Sequence, residues 1–237
     1  MAFTAKDVIS RVTTILQDAG NVRWTPLELL NWLNDALTEI PLIAPAAVAE
    51  TSVISLVAGT DQAMPADAAS ILRVVCNVTG TSAPYTRGRA ITPIKRQILD
   101  QQLPEWHDTT KLPPAAVVLH FVEDPLMTGR FLVCPANTGT GKIEVVVAKR
   151  PAQITAPANP LDINSYTATV GLDDMYRNAC VDFVMSKALL KDIGIAGGPQ
   201  RAQAHYNAYL QALGLRPQTE AAFNPTSDDP SKAARPS

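Results

Sequence analysis

Residues 24–41 read WTPLELLNWLNDALTEIP, and this stretch decides the fold class. Thr25-Pro26-Leu27-Glu28 has the form of a capping box with proline at the first helical position. The Thr25 hydroxyl is expected to accept from the Glu28 backbone N–H, and the Glu28 carboxylate to reach back to the cap. Trp24 and Leu29 stand where a hydrophobic staple needs them. Leu30, Leu33, Leu37 and Ile40 then recur at helical spacing, and Pro41 is expected to stop the run. Trp24, Thr25, Glu28, Leu30, Trp32 and Leu33 are therefore the expected cap and core of this helix.

Upstream, Thr4 can cap an earlier helix carrying Val8, Ile9, Val12, Ile15 and Leu16, with Gly20 and Asn21 expected to end it. The short link between the two runs predicts an antiparallel helical hairpin. The last third holds a matching pair. Asp173 and Asp174 suit a first turn, where the helix dipole favours anions. Met175, Tyr176, Ala179, Cys180, Phe183, Val184 and Leu190 follow as an apolar face, with Gly194 as the expected cap. Pro199 opens the second helix of the pair, Ala202, Tyr206, Tyr209 and Leu213 line one side, and Gly214 is expected to close it.

Between the pairs the chain changes character. It has 19 prolines in 237 residues, about 8% against a usual 5% or so. Thirteen of them lie from Pro41 to Pro160 and none in 161–198. Proline inside a helix loses a hydrogen bond and clashes with the preceding turn, so the middle should be strands and turns. Runs at 51–57, 71–78, 115–122, 130–134 and 142–149 read as strands of an antiparallel sheet, sandwich or small barrel. Residues 94–103 read as a short helix, and a turn is expected around Gly59-Thr60-Asp61. Residues 216–237 carry almost no large apolar side chains and read as a tail, disordered alone or docked on a partner. The expected fold is α+β: a helical bundle of two hairpins, N- and C-terminal (1–46 and 165–214), an inserted antiparallel β-rich domain (47–164) and an extended C-terminal tail (215–237).

Composition excludes several classes. Net charge is −2 with a pI near 5.9, which is not that of a broadly basic nucleic-acid binder. Apolar residues are 46% and charged residues 18%, the latter below the usual quarter or so, so the chain is no charged disordered polymer. Cys76, Cys134 and Cys180 are too far apart for a disulfide framework or zinc module and are expected as free buried thiols. No run approaches the ~18 apolar residues of a membrane span, and MAFTAKDVISRV lacks the order of a signal peptide. The expectation is a soluble chain made in a cytoplasm.

No enzyme signature emerges. His107, His120 and His205 stand in no metal spacing, and His107 follows Trp106 in what reads as an aromatic plug. Gly139-Thr140-Gly141-Lys142 resembles half a phosphate loop but leads into a strand, so a tight turn is the better reading. No catalytic residue, cofactor or metal ligand is expected. Arg87, Arg89, Lys95 and Arg96 form a local basic cluster, suited to a protein contact or to the phosphates of DNA in a passage.

The stretch VISRVTTILQDAGNVRWTPLELLNWLNDALTEI resembles the opening of tailed-bacteriophage head-to-tail adaptor (connector) proteins. In that family a helix and a short link precede W-[ST]-x-x-E-L-L-x-W-[LI]-N-[DE]. Here the matching residues are Trp24, Thr25, Glu28, Leu29, Leu30, Trp32, Leu33, Asn34 and Asp35. The order of later pieces is also similar, over roughly residues 4–214. The resemblance implies a structural virion protein at the neck, assembled in the host cytoplasm. It implies a homo-oligomeric ring, usually a dodecamer, that joins the portal protein to a tail or nozzle protein. Genomic DNA would pass through it without sequence-specific binding, and no membrane is involved. Phe223, Arg216, Asp228, Asp229 and Arg235 in the tail are the expected portal or neighbour contacts. The alternatives are a tubular or nozzle tail protein of a short-tailed phage, a DNA-binding factor using the basic cluster, and a nucleotide-binding protein using the 139–142 turn.

Overall fold

A computed structural model gives the fold; it describes residues 2–123, 127, 129–191 and 197–223, and of residues 123 and 215–223 the backbone alone. The chain is α+β. In order, its strands and helices are β1 (Ala2–Thr4), α1 (Ala5–Leu16), α2 (Pro26–Ile43), β2 (Ala49–Ser55), β3 (Ala58–Ala63), β4 (Ala68–Thr79), β5 (Thr86–Ala90) and β6 (Thr92–Lys95). There follow α3 (Arg96–Gln102), β7 (His120–Glu123), β8 (Arg130–Thr138), β9 (Lys142–Lys149), β10 (Thr169–Asp173), α4 (Arg177–Lys191) and α5 (Gly198–Phe223). The chain divides into two compact units, residues 1–47 with 151–237, and residues 48–150.

In the first unit, Thr4 caps α1 in a complete box: Asp7 N–H donates to Thr4 Oγ1 and Thr4 N–H to Asp7 Oδ2 at 2.8 Å. The expected end at Gly20-Asn21 is wrong. Gln17 turns left-handed (φ 57°), and the Asp18 N–H closes on the Thr13 carbonyl at 3.1 Å, finishing the helix earlier. At α2 the Thr25 hydroxyl accepts from Glu28 N–H at 3.3 Å as expected. The Glu28 carboxylate, however, takes the Lys191 ammonium at 2.6 Å. Pro41 does not stop α2, which runs to Ile43. The ring is buried, so packing offsets the lost N–H bond, and Ala44 N–H closes the end on Ile40.

α4 packs against α1, α2 and α5. Val8, Ile9, Val12, Leu29, Leu30, Leu33 and Phe183 are all buried there, and Phe183 meets Tyr209 edge-on at 5.0 Å. Each such aliphatic side chain contributes about 1.5–3 kcal/mol by leaving water. Trp32, expected in the core, is only half-buried. α5 passes through Gly214, its expected end, and reaches Phe223, so residues 216–223 are helical and not extended. A helical glycine costs only about 1 kcal/mol against alanine, and the Gln218, Glu220, Ala221 and Ala222 that follow are helix formers. The expected cap Gly194 lies outside the described residues.

Tyr209 is completely buried, yet its hydroxyl has no hydrogen-bond partner among the described residues. A buried orphan hydroxyl is a standing penalty. Tyr209→Phe is therefore expected to stabilise the protein, by about 1 kcal/mol in denaturant titration, where most core substitutions destabilise.

The second unit contains two four-stranded sheets, ordered β2-β9-β4-β5 and β3-β8-β7-β6. Val74, Ile143, Val145 and Val147 of one sheet and Phe121, Phe131 and Val133 of the other share a core. Strand alternation sends Val122, Leu132 and Cys134 to the opposite face, where Leu99 of α3 and Trp106 cover them. The purely antiparallel expectation fails at one pair: β6 and β7 are parallel. The long connection through α3 supplies the crossover that a parallel pair requires. The expected turn around Gly59-Thr60-Asp61 is instead part of β3, which pairs with β8. Asn77 of β4 holds the segment that leads into β7: it accepts from Val118 N–H at 2.8 Å and donates to the Val118 carbonyl, and also to the Arg89 carbonyl of β5.

Candidate functional site

The motif residues of α2 do structural work that can be read atom by atom. Trp24 is buried, and its indole N–H donates to the Ala188 carbonyl of α4 at 3.1 Å. Asp18 organises the link before it, accepting the N–H groups of Val22, Arg23 and Trp24, each at 3.0 Å. The Trp24 bond is the main reason its carboxyl sits below the usual range. Asn34 makes a two-way bond with the chain that returns from the β unit. It donates to the Ile154 carbonyl at 3.0 Å and accepts Ile154 N–H at 2.8 Å. A side-chain amide carries a donor and an acceptor side by side and so satisfies both backbone atoms of Ile154 at once. Asp18 did not stand out as a site in the residue patterns, its signal being a carboxylate just before a Gly-Asn link, and Asn34 entered only as a letter of the family motif.

The four basic residues lie along one stretch of the second unit. Arg87 and Arg89 are in β5, Lys95 ends β6 and Arg96 opens α3. They do not act alike. Arg87 forms a fork on Glu144, with Nε and Nη2 each 2.7 Å from a carboxylate oxygen, and Cys76 Sγ lies 3.5 Å from the same group. Arg96 pairs with Asp100 at 3.5 Å, one helical turn on. Arg89 and Lys95 are exposed.

The Arg87 fork holds the Glu144 carboxyl below its ordinary value of 4.5. A carboxylate depressed by folding contributes stability that is present above the unfolded value and lost as pH falls through the folded one. Glu144→Gln is therefore expected to lower the melting temperature at neutral pH and to flatten the acid side of the profile below about pH 4.5, where variant and wild type converge. A profile of unchanged slope would contradict this.

The remaining chemistry-bearing residues are tied into local structure. Gly139–Lys142 is the turn between β8 and β9; Asn137 Oδ1 accepts the N–H groups of Gly139 and Gly141, and Lys142 Nζ reaches the Gly80 carbonyl. Trp106 is buried with its indole N–H on Asp100 at 2.8 Å, and the His107 ring stacks on it at 3.6 Å. His120 bonds the Thr92 hydroxyl and His205 faces Asp182 at 2.8 Å. All three cysteines are buried and free. Burial pushes the Cys180 thiol up to about 12. Among the described residues no group of His, Cys, Asp or Glu is arranged to hold a metal ion, and no helix is long and apolar enough to cross a membrane. Of the tail residues, Arg216 and Phe223 lie on the backbone of α5, while Asp228, Asp229 and Arg235 are outside the described residues.

What decides the assignment is a family model, described as SU10 adaptor protein, that matches residues 3–229. The chain belongs to the SU10 adaptor protein family. The match takes in both units of this adaptor, and it agrees with the resemblance carried by Trp24–Asp35. The adaptor is thus a structural protein of a bacteriophage virion. No curated protein matches the chain. The motif now has a physical reading within the adaptor: Trp24 ties α2 to α4, Thr25 caps α2, and Asn34 fastens the returning chain to α2.

Proposed function

We propose that this adaptor is the head-to-tail connector itself: a ring, in twelve copies, that joins the portal to the tail and surrounds the path of the DNA. The observation that carries the reading is the family match across nearly the whole chain, residues 3–229. The four long helices, as a bundle of two hairpins, form the ring body. A part repeated around a ring needs complementary surfaces rather than a reactive centre. Its site is therefore its interfaces.

The portal contact is assigned to the C-terminal residues, with Phe223 as apolar anchor and Arg216, Asp228, Asp229 and Arg235 as charged contacts. A polar segment of this kind orders on its partner, and the cost of ordering is offset by the contacts it makes. Arg89 and Lys95 face either the DNA passage or a neighbour, and no base is read.

Co-sedimentation with isolated portal vertices tests the reading. The full chain is expected to bind portal directly, and a chain lacking residues 216–237 to keep its circular dichroism but lose portal binding. Binding only to portal that already carries another adaptor would overturn the reading in favour of a tubular tail component.

A further inference from the structure

We draw no further inference here: the strongest candidate, the open apolar cavity beside α3 in the second unit, lined by Leu103, Pro104, Glu105, Trp106, Lys111 and Leu112, carries nothing because nothing in the structure shows what covers it.

Discussion

Leu33→Asp is expected to unfold the helical unit. The Leu33 side chain is fully buried, on the face of α2 that carries Leu29, Leu30 and Leu37. Removing a core leucine costs about 2–5 kcal/mol before any charge is considered. The new carboxylate would be buried without a partner, which costs several kcal/mol more or forces the group to stay protonated. The sum rivals the whole stability of an ordinary domain, about 5–15 kcal/mol. Loss of the helical circular dichroism signal at neutral pH is the expected readout. Leu42→Asp supplies the contrast in the same helix. Leu42 is 75% exposed, so the same change should cost less than about 1 kcal/mol, most of it from a negative charge near a helix C-terminus. Equal effects at the two positions would contradict the assigned faces of α2.

The second large effect is at Trp24. Trp24→Ala removes a buried indole, at about 3–5 kcal/mol, and leaves the Ala188 carbonyl without its 3.1 Å donor. Because that bond joins the start of α2 to α4, the loss should loosen the two helices together. Trp24→Phe separates the contributions. It keeps most of the packing and gives up the hydrogen bond, so a loss nearer 1 kcal/mol is expected in denaturant titration. If the phenylalanine variant were as damaged as the alanine one, the hydrogen bond and not the burial would be the main link.

These two residues also mark what a sequence can disclose. The apolar spacing of α2 and the Thr25 cap are local patterns, and they correctly placed Leu30, Leu33 and Trp24 in the core. Strand β8 was legible because both faces are covered, one by the facing sheet and the other by α3 and Trp106, and β9 because Ile143, Val145 and Val147 all enter the shared core. β3 and β5 were not, because their exposed residues give no alternation of apolar and polar. Helix ends were misplaced where packing or a left-handed residue outweighed the usual breakers, at Gln17, Pro41 and Gly214.

Site residues followed the same division. The bonds of Asn34 to Ile154 and of Arg87 to Glu144 join positions 120 and 57 residues apart, and only the folded chain brings them together. The basic cluster read from Arg87, Arg89, Lys95 and Arg96 is a cluster in sequence whose first member is already matched by a carboxylate. The family motif was visible as letters. The fold gives it a reason: Asn34 is needed for the chain that returns from the β unit.

The central claim is that this adaptor works as a ring between portal and tail. Electron micrographs of the purified protein, alone and mixed with its portal, test that claim most directly. Rings with a central opening, free or seated on the portal vertex, are expected. Monomers that remain monomers in both preparations would contradict it.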